Sequence, residues 1–135
     1  MTEVARSGFN WHELMTTDLE AARRFYREVS GLAVVDGPAS PAGPYLLLMD
    51  GDRPVAGITG PTAQGPVWPS GGPQPHWLPY IAVEDVDRAA ERTRALGGRV
   101  LVEPVDIPGF GRAAVLRDPQ GAAFGVFHAA NGPPD

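Results

Sequence analysis

The feature that most constrains this chain is an internal repeat. Residues 18–34 read D-L-E-A-A-R-R-F-Y-R-E-V-S-G-L-A-V, and residues 85–101 read D-V-D-R-A-A-E-R-T-R-A-L-G-G-R-V-L. Asp18 aligns with Asp85, Gly31 with Gly98 and Val34 with Leu101, each pair 67 residues apart, which is half of a 135-residue chain. One supersecondary unit is written twice, and each copy has an apolar face to bury against the other. A two-fold arrangement of this kind makes a cleft at its pseudo-axis, so the functional question is what lines that cleft.

The length suits a single domain with a real core. A hydrophobic fraction of 43% beside 20% charged residues is that of an ordinary soluble globular chain. No apolar run reaches the length of a membrane span, and the first residues, M-T-E-V-A-R-S-G, lack the apolar core of a secretory signal. A cytoplasmic protein with no membrane partner is the resulting expectation. Cysteine is absent, which removes disulfides, thiolate nucleophiles and thiolate-bound metals. All 11 basic side chains are arginine, so Schiff-base lysines and P-loop lysines are excluded. With a net charge of -5 and no basic cluster, nucleic-acid binding is not expected.

Each half predicts the same order of elements. An alternating apolar pattern over 9–17 reads as a strand. Asp18 is a good N-cap, and Leu19, Ala22, Phe25, Tyr26 and Val29 then fall at helical spacing, with Gly31 as the stop. Short strands follow at 32–35, 45–49 and 55–59, the last two joined by an Asp50-Gly51-Asp52 turn. The proline- and glycine-rich stretch 61–75 reads as a linker between modules at about 7–60 and 76–129. In the second module a strand at 77–83 leads to a helix capped by Asp85 and stopped by Gly97-Gly98. Strands are expected at 100–102, 112–117 and 122–128, with 104–111 as a loop. Each module is β-α-β-β-β, which makes an α+β fold of two tandem βαβββ modules around a pseudo-two-fold cleft of mostly antiparallel, curved sheet.

The stretches T-T-D-L-E-A-A-R-R-F-Y at 16–26, V-E-D-V-D-R-A-A at 83–90, L-G-G-R-V at 96–100 and D-P-Q-G-A at 118–122 resemble the vicinal oxygen chelate superfamily, which holds glyoxalase I, extradiol dioxygenases, fosfomycin-resistance enzymes and bleomycin-binding proteins. With W-H-E-L-M-T-T-D, P-H-W-L-P-Y-I-A-V-E-D-V-D and D-I-P-G-F-G-R, the likeness narrows to a glyoxalase-like "hydroxylase" subgroup, many of whose members carry two such domains in tandem. The resemblance implies four cleft positions for metal ligands. Two lie seven residues before each helix-capping Asp, at Trp11 and Leu78. A third lies four residues after the glycine of the D-P-x-G turn, at Gly125. The fourth, 67 residues earlier, is Ile58. None of these carries the imidazole, thiolate or carboxylate that zinc, iron or manganese takes. The expectation is therefore no metal and no cofactor. His12, Glu13, His76 and His128 are the nearest substitutes. By strand alternation His12 points to the helix layer, and its use as a ligand would need a one-residue slip.

Alternation places Trp11, Glu13 and Met15 toward the cleft, facing Leu78, Tyr80 and Ala82, with Leu14 and Ile81 packed under the helices. Glu13 is the odd residue, a carboxylate on an apolar face. Burial without a partner would raise its pKa, whereas Arg112 or a tyrosine hydroxyl nearby would lower it. Glu13 is the candidate base or ligand-anchoring anion, with Tyr80 as a hydrogen-bond donor; the alternative is a structural carboxylate. Trp11, Met15, Trp68, His76, Trp77, Leu78, Phe110, Arg112 and Phe124 are the expected ligand-binding set, with Trp68, Trp77 and Phe110 on or near loops where they can cover a flat molecule. Three functions compete: a metal-free enzyme acting on a small organic molecule, a bleomycin-resistance-type protein that sequesters one, and a metal-dependent lyase or dioxygenase with moved ligands. A homodimer is expected, since an open sheet edge is usually paired or covered.

Overall fold

The computed structural model describes residues 8–37, 44–60, 75–107 and 109–130. Trp68 and the expected linker as far as residue 74 lie outside them. The elements are β1 (Gly8–Met15), α1 (Leu19–Ser30), β2 (Ala33–Asp36), β3 (Leu46–Asp50), β4 (Arg53–Thr59), β5 (His76–Ala82), α2 (Val86–Ala95), β6 (Arg99–Ile107), β7 (Gly111–Arg117) and β8 (Ala123–Ala129). This is the β-α-β-β-β order twice over. The chain divides into two compact units, one running Trp11–Trp77 and the other taking Leu78 onward with the residues up to Asn10.

In the first unit the strand order is β2-β3-β4-β1. The β2/β3 and β3/β4 pairs are antiparallel and β4/β1 is parallel. The helix α1 starts where Asp18 accepts a hydrogen bond from the Ala21 N–H at 3.0 Å, satisfying one of the orphan donors of the first turn. It ends at Gly31, whose φ of 77° suits a residue without a Cβ. Beneath it lies a core of Leu14, Ala22, Val34, Leu46, Leu48, Ala56 and Ile58. Leu14 thus faces the helix, as alternation predicts.

The second unit repeats the plan with order β5-β8-β7-β6. Here β5/β8 is parallel and the other two pairs are antiparallel. Asp85 caps α2 by accepting from the Arg88 N–H at 3.0 Å. Val86 and Ala90 of the helix pack on Ala114, Leu116 and Val126. Ile81 pairs with Val126 and so shares its α2-facing side.

Two elements differ from the sequence pattern. The strand expected to stop at Val102 continues through Pro104 to Ile107. Register shifts at Val100/Val102 and Val102/Val105 mark bulges around the proline. β6 pairs only with β7 within its unit, and a proline is tolerated at a bulge on such a strand because no ladder donor is lost. His76, expected ahead of its strand, is the first residue of β5. Among the described residues, no helix is long and apolar enough to cross a membrane.

Candidate functional site

The site is built by register. In the first unit, Val35 pairs with Leu47, Leu47 with Gly57, and Gly57 with Glu13. These four residues form one row across β2, β3, β4 and β1, on the face away from α1. Trp11 and Met15 share that face with Glu13 by alternation. Gly57 leaves a gap in the row. Tyr45, two residues before Leu47, fills it and donates a short hydrogen bond from its hydroxyl to Glu13 Oε2. A Cβ on residue 57 would overlap the Tyr45 hydroxyl and stand 2.8 Å from Glu13 Oε2. The contact therefore requires glycine at 57. Glu13 and Tyr45 are both half-buried, so the carboxylate is held by a charge-assisted bond in partly apolar surroundings.

The second unit has the corresponding row: Val102 pairs with Val115, Val115 with Gly125, and Gly125 with Tyr80. Tyr80 is buried, and a Cβ on residue 125 would overlap its ring. Tyr80 and Glu13 thus hold equivalent places, 67 residues apart, and Gly125 and Gly57 hold the next, 68 apart. This corrects the assignment of Ile58 to the ligand-bearing register. Ile58 pairs with Leu14 and is wholly buried under α1. One residue of difference in spacing turns a strand's side chains to the other face. Gly57 is the true counterpart of Gly125.

With that correction, the positions where the resemblance puts metal ligands are Trp11, Gly57, Leu78 and Gly125. They bring no side-chain donor, and the room beside both glycines is taken by tyrosines. Among the described residues, no group of three or more His, Cys, Asp or Glu gathers to hold a metal ion. His12 is exposed and His76 half-buried. His128 is exposed, with Nδ1 3.0 Å from the Val83 carbonyl oxygen. The residues present do not fit the superfamily's metal.

The other expected ligand-binding residues scatter. Trp77 is 40% exposed; it lies edge-on to Tyr26 at 5.5 Å and donates from Nε1 to the Tyr26 hydroxyl at 3.3 Å. Leu78 is buried. Phe124 packs against the α2-side core. Phe110 is 46% exposed beside an open hollow of about 330 Å³ lined by Asp106, Ile107, Gly109, Gly111, Arg112, His128 and Ala130. Arg112, one of the partners considered for Glu13 beside a tyrosine hydroxyl, is held by two carboxylates of its own unit. Its Nε and Nη2 donate to Asp87 at 2.8 and 2.9 Å, and its Nη1 donates to Asp106 at 2.9 Å. Those bonds hold the Asp87 carboxyl below its ordinary value, and Asp87 and then Asp106 push the guanidinium above its own. The cation beside the hollow is thus already matched by two carboxylates. Tyr45 is the residue that sequence reasoning misses. Its role comes from pairing across three strands, 32 residues from Glu13.

The duplicated βαβββ scaffold defines a class. Residues 8–126 match the Glyoxalase/Bleomycin resistance protein/Dioxygenase superfamily, and the chain belongs to it. CFP32 of Mycobacterium tuberculosis, whose name offers it as a candidate glyoxylase, is 41% identical over 120 residues, covering 89% of this chain and 43% of that protein. The anthracycline biosynthesis protein DauV of Streptomyces sp. (strain C5) is 42% identical over 117 residues, covering 86% of this chain and 39% of its own length. The chain therefore spans less than half the length of these curated relatives. Methylmalonyl-CoA epimerase from Mycobacterium tuberculosis superposes with a TM-score of 0.63 at 18% identity, covering 96% of this chain and 93% of that one. A variant of homoprotocatechuate 2,3-dioxygenase from B. fuscum gives 0.59 at 23% identity, covering 95% of this chain and 33% of the dioxygenase. At those identities the likeness is one of fold.

Proposed function

We propose that the chain binds and transforms a small organic molecule on the β1–β3 face without the superfamily's metal. Glu13 accepts a proton from the bound molecule, and Tyr45 holds the carboxylate in place. The observation that carries this reading is the Tyr45–Glu13 hydrogen bond over Gly57, at a register where relatives of the resembled superfamily place a metal ligand. A carboxylate held by a hydrogen bond in partly apolar surroundings is suited to act as a general base. The names of the relatives that act in anthracycline biosynthesis support an organic, largely apolar substrate.

Glu13→Gln tests the proposal. The amide keeps the shape and can still accept from Tyr45, so the stability change should stay below about 1 kcal/mol. Turnover of a substrate found by an unbiased metabolite screen should be abolished. Retained turnover, or a stability loss of about 1–3 kcal/mol with ligand binding unchanged, would make Glu13 structural. Glu13-dependent binding with no turnover in any form of the protein would assign the face to sequestration instead.

A further inference from the structure

We infer that Arg99 and Arg117, on the sheet face of the second unit that turns away from α2, form a clamp for a single phosphate group. Arg99 opens β6 and Arg117 closes β7, and the two are direct cross-strand partners. The next rung pairs Val100 with Leu116, both of which pack toward α2. Successive rungs alternate in side, so both arginine side chains leave on the opposite face. Directly paired residues of an antiparallel ladder have Cβ atoms about 5 Å apart, and like charges placed so repel. Arg99 is exposed and Arg117 half-buried.

Two further observations call for an anion there. The Arg117 Nε is buried and, among the described residues, meets no acceptor. A buried donor left unmatched is costly, and a bound water or ion is its ordinary explanation. Among the described residues, neither Arg99 nor Arg117 joins an ion pair. The acids close to them in sequence are engaged elsewhere. Asp118 Oδ1 accepts from the Gln120 and Ala122 N–H groups at 3.0 and 2.9 Å, which shapes the β7–β8 turn. Glu103 pairs with Arg94 of α2. Ala123, the partner of Arg117 on β8, carries only a methyl group and offers no side-chain acceptor.

The pair selects among anions. A water would satisfy Nε and still leave two cations side by side. A carboxylate brings one charge and two oxygens, enough for one guanidinium fork. A phosphate group brings nearly two charges at neutral pH and three acceptor oxygens, enough for both forks. Two cations in a chain of net charge -5 suit one such group and not a polyanion. The group can be free phosphate or the phosphate of a small organic molecule, since the contacts are the same. Arg112 of the same unit has its charge matched by Asp87 and Asp106 and serves as the control.

The experiment titrates the full chain with inorganic phosphate, phenyl phosphate and acetate by calorimetry, in a zwitterionic buffer with ionic strength held by sodium chloride. Inorganic phosphate should bind at least tenfold more tightly than acetate and raise the melting temperature. Arg117→Met and Arg99→Gln should each weaken phosphate binding at least tenfold, and Arg112→Met should leave it within twofold. In phosphate-free buffer Arg117→Met should melt no lower than the unaltered protein, because it removes an unmatched buried donor; the exposed Arg99→Gln carries the binding test if Arg117→Met fails to fold. Phenyl phosphate binding more tightly than inorganic phosphate would make the ligand an organic phosphate, and the reverse would make it free phosphate; both support the clamp. Acetate binding as well as phosphate, no binding at millimolar phosphate, or binding that survives Arg99→Gln overturns it.

Discussion

Glu13 and Tyr80 stand at the same register position in the two halves, each across a parallel strand pair from a glycine. In the first half the glycine's vacant side is filled from the neighbouring strand, by Tyr45 reaching to the carboxylate. In the second, the residue at the register position lies on its own glycine. Both seats hold a phenol, reached by different routes. The rows that contain them differ in one respect that matters chemically. Val102–Val115–Gly125–Tyr80 is uncharged from end to end, whereas Val35–Leu47–Gly57–Glu13 ends in an anion. Duplication preserves the backbone spacing that makes the seat. The chemistry enters through a single position and through whichever side chain the glycine lets approach it.

The largest expected effect tests which residue of β4 belongs to that row. Ile58→Ala should lower the unfolding free energy by about 2–5 kcal/mol, because a wholly buried side chain is removed from beneath α1 and the cavity closes only in part. Ligand binding measured well below the melting transition should be unchanged. If Ile58 faced the ligand, as the plain 67-residue offset has it, the same substitution would be mild in urea titration and would alter binding.

How much of this was legible in the sequence depends on the range of the interaction. The caps Asp18 and Asp85 and the stop at Gly31 are local signals, and the helices start and end where those residues put them. The alternation of β1 was equally local, and Leu14 and Glu13 fall on opposite faces as read. The β4 register was not local. It depends on the number of residues between β2 and β3, where the paired Val35 and Leu47 are 12 apart and their counterparts Val102 and Val115 are 13 apart, and an offset copied from the helices misses it by one. The Tyr45–Glu13 contact joins strands with β4 between them, so no periodicity could announce it. Pro104 hid the second half of β6 because its cost as a strand breaker disappears at a bulge. Arg112 is suited by its charge to partner Glu13, but two acidic residues of its own unit hold it, and their convergence from α2 and β6 has no local signal.

A smaller and more discriminating effect comes from adding one methyl group to each glycine. At residue 125 the new Cβ meets the ring of Tyr80, which is buried and cannot swing aside without moving its neighbours. At residue 57 it meets the far end of the half-buried Tyr45 side chain and the tip of Glu13. Gly125→Ala should therefore cost more in thermal denaturation, toward the upper end of the roughly 1–3 kcal/mol typical of overpacking, and Gly57→Ala less. For ligand handling the order should reverse, since only Gly57→Ala parts the phenol from the carboxylate. Equal losses of stability and equal effects on binding would mean that the two seats are interchangeable and that the contrast between the halves is only one of composition.

The smallest effect concerns how each half ties its helix to the sheet. In the first, Arg23 of α1 bonds Glu20 at 3.2 Å and Asp36 of β2 at 2.6 Å. In the second, Arg112 of β7 bonds Asp87 of α2 and Asp106 of β6. The carboxylates are largely in solvent although Arg23 and Arg112 are half-buried, so neither tie should contribute much, and both should weaken as salt rises past the screening range. The second leaves a titration signature. Asp87 has its carboxyl lowered from the ordinary 3.8 chiefly by the hydrogen bonds of Arg112; burial opposes this, and the charge of Arg112 adds a lesser lowering. A depressed carboxyl contributes stability that is present above the unfolded value and is lost as pH falls through the folded one. The contribution should therefore disappear only in acid, below about pH 4, and leave neutral stability flat. Carbon-detected NMR of the Asp87 carboxyl should give a midpoint below 3.8 in the native protein and a return toward 3.8 in Arg112→Met. A native Asp87 that already titrates at 3.8 would show that the Arg112 contact does not persist in solution, and the apolar face of Val86, Ala89 and Ala90 would then carry the attachment of the second helix.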